Sequence, residues 1–182
     1  MKVLRTSETD TNKLQMGDVI RLKDGYTATC QAVTETGAIM LLDQYLDFDA
    51  PMNEKNTNRG GYEASDLRKW LQDQLDEFLP EDLEKRLKTF ENGDLLRLPY
   101  YGEMFDHLDP EYVEPDGMVQ WPLMKERKNR IAFHRSGDWD CGWLMNRRVQ
   151  SAPTFANVSY AGHAGTYSAS FSLGVRPAFS LS

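Results

Sequence analysis

Past residue 17 the chain breaks into short apolar runs, each cut off by a turn signal. Val19-Ile20-Arg21-Leu22 is the first, ended by Lys23-Asp24-Gly25, where Asp-Gly is a strong hairpin dipeptide. Tyr26 to Val33 alternates apolar and polar positions, Thr36-Gly37 turns the chain, and Ala38-Ile39-Met40-Leu41-Leu42 is a continuous apolar run suited to a buried strand. The pattern predicts an antiparallel meander of three strands. Residues 43–62, with Pro51, three Asn and Gly60-Gly61, read as loop.

The period changes at Ser65. Leu67, Trp70, Leu71, Leu75 and Phe78 recur at spacings of three and four, so an amphipathic helix is expected over about 65–79 with Ser65 as its N-cap. Pro80 opens a second helix, expected over 80–91, with Glu81 and Asp82 near the positive end of its dipole and Leu83, Leu87 and Phe90 on its apolar face. Leu95–Leu98 returns to strand. Pro99 to about Lys128 loses any period and carries Tyr100, Tyr101, Phe105, Tyr112 and Trp121, an excursion packed by its own aromatics. Strands are expected again at Arg130–His134, Gly142–Met145, Phe155–Tyr160, Tyr167–Phe171 and Val175–Leu181. Residues 1–16 read as a polar arm and 17–182 as one α+β domain.

Composition sharpens this in one place. At 40% hydrophobic and 27% charged residues the chain can bury a core, and no run approaches the roughly 18 apolar residues of a membrane span. The N-terminus is polar after Leu4, so no export signal is expected and the protein should stay in the cytoplasm on synthesis. The net charge of −7 argues against a nucleic-acid partner. That charge is uneven: no Asp, Glu or Lys follows Asp140, and residues 141–182 carry only Arg147, Arg148 and Arg176.

Candidate chemistry is sparse. His107, His134 and His163 are scattered and form no spaced metal set. His134, in an apolar strand context, reads as structural. No GxSxG elbow, P-loop or GxGxxG is present. Cys30 and Cys141 read as reduced, buried thiols. Glu114-Pro115-Asp116 is similar to the Glu-Pro-Asn of calcium-dependent C-type lectins, and Trp139-Asp140 to their Trp-Asn-Asp, but a solvated acidic loop explains so short a match. No catalytic residue, metal or cofactor is expected.

The tail from Ser151 to Gly174 holds no charged residue, and sets Phe155, Asn157, Tyr160, His163, Tyr167 and Phe171 among small residues. That reads in two ways. It is the chemistry of a paratope, in which tyrosine gives rigid contact area and Ser, Gly and Asn adapt their hydrogen bonds. It is equally the composition of a β-rich core segment with short turns.

Gly17-Asp18 before a strand, Tyr62-Glu63-Ala64-Ser65-Asp66-Leu67-Arg68-Lys69-Trp70-Leu71 opening a helix, and Gly174-Val175-Arg176-Pro177-Ala178-Phe179 near the end together resemble the bacterial and phage family designated DUF6273. The resemblance spans roughly residues 17–182. It departs where the family has a Trp-Trp-Leu-Arg-Ser-like strand: here Gly142-Trp143-Leu144-Met145-Asn146 stands. The resemblance implies a C-type-lectin-like fold, shared with formylglycine-generating-enzyme-type domains and with the variable proteins of diversity-generating retroelements, whose diversified face lies just before the C-terminus. Residues 151–174 lack Glu, Lys, Gln, Met and Trp, which diversified adenines rarely encode. Formylglycine-generating enzymes need a close cysteine pair on copper, and the iron-dependent sulfoxide synthases a histidine cluster; neither motif is found here.

The expected protein is a non-enzymatic recognition domain, bacterial or prophage-derived, binding a protein or glycan through the 147–172 face. Arg148, Asn157, Tyr160, His163 and Tyr167 are its expected contacts. Trp70, Trp143, Gly174, Arg176 and Pro177 are expected to be structural, with glycine permitting a bend before the last strand and Arg176 reaching back to backbone carbonyls. The rivals are a formylglycine-generating-type oxidoreductase and a self-associating structural phage component.

Overall fold

The computed structural model describes residues 13–107, 109–150 and 153–182, so most of the expected N-terminal arm lies outside the described residues. The meander forms as expected: β1 (Val19–Arg21), β2 (Thr27–Thr34) and β3 (Gly37–Leu42) pair antiparallel in sequence order. The Asp24-Gly25 turn between β1 and β2 takes a left-handed conformation at both residues, φ 53° and 85°. Asp tolerates this conformation and Gly adopts it freely.

The last strand does not close an edge. β11 (Ala178–Leu181) pairs with β3 on one side and with β5 (Leu87–Lys88) and β6 (Leu96–Arg97) on the other. The C-terminus is therefore sewn into the middle of a six-stranded sheet. A second sheet holds β7 (Gly142–Arg147), β8 (Thr154–Val158) and β9 (Ala164–Ser168), and β4 (Ala50–Pro51) pairs with β10 (Ser172–Leu173). All these strand pairings are antiparallel, and with five short α-helices among the described residues the α+β expectation holds at that level.

Ser65 caps α1 (Asp66–Gln72) as predicted, its hydroxyl accepting from the Arg68 N–H at 3.1 Å. The helix then breaks. Asp73 and Gln74 donate to carbonyls three residues back, and α2 (Leu75–Phe78) follows as a separate turn. The second predicted helix stops early: α3 covers Glu81–Glu84, and Leu87-Lys88 leave it to pair with Leu181 and Ser180. Strand pairing with a distant segment overrides a local helical pattern here. The expected strand at Arg130–His134 is also absent. α5 (Arg127–Arg130) ends there, and the chain runs on extended, with Phe133 bridging Trp139 across a tight loop. The strand expected at 167–171 lies earlier, as β9, and the one expected from Val175 begins at Ala178.

The core has two parts. One gathers Met40, Leu42, Leu71, Phe78, Trp143, Phe155 and Phe179 between the main sheet and α1–α2. Trp143 also donates its indole N–H to the Ala50 carbonyl at 2.8 Å, and Trp70 packs at the margin, half-buried. The other part joins Tyr101 and Met104 of α4 (Tyr101–Met104) with Phe105, Trp121, Leu144 and Val158, so the aromatic excursion does pack on its own aromatics. Arg97 and Glu103 are buried between the two parts in a fork-to-fork ion pair of 2.6 and 2.7 Å. The Arg97 guanidinium lies over the rings of Phe90 (4.5 Å) and Tyr100 (5.0 Å).

Candidate functional site

Two loops meet beside the second sheet. One is residues 43–49, leaving β3; the other is residues 133–141, entering β7. Backbone bonds fasten them: Tyr45 N–H donates to the Phe133 carbonyl at 3.0 Å, and the 134–138 turn closes on itself through His134 and Asp138. Tyr45 is the buried pillar between them, its ring 5.4 Å from the His134 imidazole and its hydroxyl donating to the Asp140 carbonyl at 3.3 Å.

The cleft so formed is lined by Asp47, Asp49, His134, Arg135, Ser136, Asp138, Trp139 and Asp140 and has a volume of about 570 Å³. Four carboxylates face one arginine. Arg135 is committed to Asp47, with its Nε 3.0 Å from Oδ1, and to the Asp24 carbonyl, and it stacks on Tyr26 at 4.5 Å. That guanidinium holds the Asp47 carboxyl below the usual carboxylate range. Asp138 accepts from Ser136 Oγ at 2.9 Å. Asp49, His134 and Asp140 remain, their nitrogen and oxygen atoms all within 4.8 Å of one another. His134 Nδ1 lies 2.9 Å from the Leu46 carbonyl and Nε2 3.1 Å from Asp49 Oδ1. Burial, and then the neighbouring Asp49, push the Asp140 carboxyl above its ordinary range.

Trp139 lines the edge of this cleft. It is 67% exposed and stands 5.8 Å from the ring of Tyr160, itself 57% exposed. An aromatic pair thus borders an acidic cleft, with Trp139 in its lining. A second exposed pair, Tyr167 (41%) and Phe171 (56%), stands 5.2 Å apart near the far end of β9.

The expected contacts separate by strand. Tyr160 and Tyr167 are exposed as predicted. His163 is exposed at the β8–β9 turn and takes a hydrogen bond from Arg127 Nη1 at 3.0 Å. Arg148 is half-buried and lies over the Tyr112 ring at 4.7 Å, occupied within the fold. Asn157 corrects the expectation: at 1% exposure it cannot meet a ligand, because β8 is buried on both faces from Phe155 to Val158. The uncharged tail is therefore both things its composition allowed, a core strand in β8 and an exposed surface in β9 and its turns.

The Glu114-Pro115-Asp116 loop is partly solvated, with Pro115 exposed and the Glu114 side chain 44% exposed, but its carboxylates are engaged within the fold. Glu114 pairs with Arg147 at 2.9 Å, and Asp116 accepts from the Gly102 N–H at 2.8 Å and from Asn146 Nδ2 at 2.9 Å. Asp116 braces α4 against β7, and Glu114 ties the loop to Arg147. Cys30 is buried and Cys141 half-buried; both are free, and burial raises both thiol pKa values. Arg176 meets its expectation, donating from Nε to the Leu42 carbonyl at 2.6 Å and from Nη1 to the Asn129 carbonyl at 3.1 Å. Pro177 sits just ahead of β11, its carbonyl accepting from the Leu42 N–H.

The acidic cleft escaped the sequence because its parts are far apart along the chain. The one local signal was Trp139-Asp140, adjacent residues that both line the cleft. No family model matches the chain, and no curated protein or solved structure matches it.

Proposed function

We propose that this chain is a non-enzymatic recognition domain of the C-type-lectin-like class, as its resemblance to DUF6273 implies, and that it binds a glycan at the Trp139–Tyr160 pair. The carrying observation is that these two rings lie exposed and paired beside a cleft rich in carboxylates. Sugars present apolar C–H faces that stack on aromatic rings and hydroxyls that donate to carboxylates, so a ring pair bordering Asp138 and Asp140 offers both halves of that chemistry. The strand framework supports a surface of fixed shape, since the pair stands on the β7 entrance and the β8–β9 turn. The free, burial-raised thiols give the oxidoreductase rival little support, because reactive cysteines have lowered pKa values.

A glycan array with the full chain, followed by calorimetry on any hit, tests this reading. Trp139→Ala and Tyr160→Ala should each weaken binding by about tenfold or more, roughly 1.4 kcal/mol, without a change in melting temperature. Loss with Tyr167→Ala or Phe171→Ala while Trp139→Ala binds normally would move the binding face to the far end of β9. An array without a hit that competes with free sugar would overturn the glycan reading.

A further inference from the structure

We propose that Asp49, His134 and Asp140 form a binding site for a divalent transition-metal ion of the zinc or manganese class. The hydrogen-bond geometry of His134 leads to it. Both ring nitrogens face oxygen acceptors: Nδ1 the Leu46 carbonyl at 2.9 Å, Nε2 the Asp49 carboxylate at 3.1 Å. A neutral imidazole carries one proton. With that proton on Nδ1, held by the carbonyl, the Nε2 lone pair faces a carboxylate, and either a bound cation or a second ring proton between them would satisfy both. The Leu46 carbonyl lies outside the three-residue cluster and fixes the ring as backbone carbonyls fix metal-binding histidines, leaving Nε2 as the ligand atom.

The carboxylates repeat the demand. Asp49 and Asp140 both bring a carboxylate oxygen into the same cluster as His134, within 4.8 Å, and the cleft's one arginine is already spent on Asp47. A cation among the three would satisfy Nε2 and both carboxylates together. One imidazole with two carboxylates suits zinc or manganese; calcium prefers all-oxygen sites with more ligands. Three protein ligands leave coordination positions open toward the cleft beside Trp139. If the glycan reading above holds, those positions are where sugar hydroxyls would bind, but the metal site itself does not depend on it.

The test uses the full chain after chelator treatment, with no sugar present. Zinc and manganese, each alone, are titrated by calorimetry, with calcium as comparison. One zinc or manganese ion per chain is expected. His134→Ala, Asp49→Asn and Asp140→Asn should each weaken it by roughly 10- to 100-fold, with circular dichroism confirming that each variant is folded. Histidine ring nitrogen shifts provide a second readout: zinc should move Nε2 of His134 and leave Nδ1 protonated, while His107 and His163 stay in place. No saturable binding by zinc or manganese, affinity retained in two of the three variants, or calcium binding as tightly as zinc would overturn the proposal. So would finding both His134 nitrogens protonated in the presence of zinc, which would make the ring an imidazolium partner of Asp49. Metal binding without any glycan binding would leave this site standing and remove only the function proposed above.

Discussion

Tyr45 occupies the space that a side chain on Gly174 would need: a Cβ there would come within 2.7 Å of the ring carbon Cγ. A Cβ on Gly142, which bridges Gly174, would meet the same ring at 2.7 Å. The glycine of the Gly-Val-Arg-Pro motif is thus set by close approach to an aromatic ring. Its φ is not in the left-handed region, so the expected bend is not what requires it. Gly174→Ala should force Tyr45 to shift and cost about 1–3 kcal/mol in urea denaturation. Because Tyr45 also packs on His134, the same variant should broaden or move the His134 ring signals.

Arg97 and Glu103 are each almost wholly buried, and their ion pair is completed by the Tyr100 N–H and the Leu98 carbonyl. Removing one partner strands the other charge in the core. Arg97→Met or Glu103→Leu alone should cost about 3–5 kcal/mol, while the double replacement should cost clearly less than the two singles added. A denaturant double-mutant cycle checks this. An additive result would mean that the pair does not interact in the folded state.

Alkali should unfold the protein through its buried tyrosines. Burial, helped by the Asp47 carboxylate, pushes Tyr26 up to about 12, and burial raises Tyr45, Tyr62, Tyr100 and Tyr101 as well. An unfolded tyrosine loses its proton near 10. Between that pH and the higher folded values the native state holds more protons than the unfolded state, so stability falls as pH rises. Urea midpoints should be flat from pH 7 to about 8, begin to fall near 8.5 as the thiols of Cys30 and Cys141, also raised by burial, ionise in the unfolded state, and drop steadily from about 10 to 12. Tyr26→Phe should lessen the drop.

What the sequence showed and what it hid follow from contact distance. The meander and the Ser65 cap were readable because alternation, turn dipeptides and caps act over a few residues; for Arg176 only the clamping role was readable, from its Gly-Val-Arg-Pro setting and its planar fork, and its partners Leu42 and Asn129 were not. The end of α3 was not, since Leu87 joins β11 from almost a hundred residues away. Asn157 misled for a different reason. A polar residue in an uncharged stretch reads as surface, but β8 is enclosed on both faces, and Asn157 Nδ2 has no hydrogen-bond partner among the described residues. The acidic cleft depends on two loops that only the fold brings together.

Arg176 holds the chain just ahead of each of those two loops. Its Nε holds the carbonyl of Leu42, where β3 gives way to the loop carrying Asp49, and its Nη1 holds that of Asn129, shortly before the segment carrying His134. The guanidinium touches none of the three cleft residues, so any influence on them is positional. Arg176→Met leaves these buried carbonyls without a donor and should cost about 2–4 kcal/mol in stability. It should also weaken zinc binding, because Asp49 and His134 lose their common brace. Arg176→Lys should restore only part of both, since an ammonium lacks the planar fork that reaches two segments at once. If Arg176→Met, measured under conditions where it is folded, binds zinc like the parent, Arg176 braces the sheet alone and the two loops hold their geometry through Tyr45.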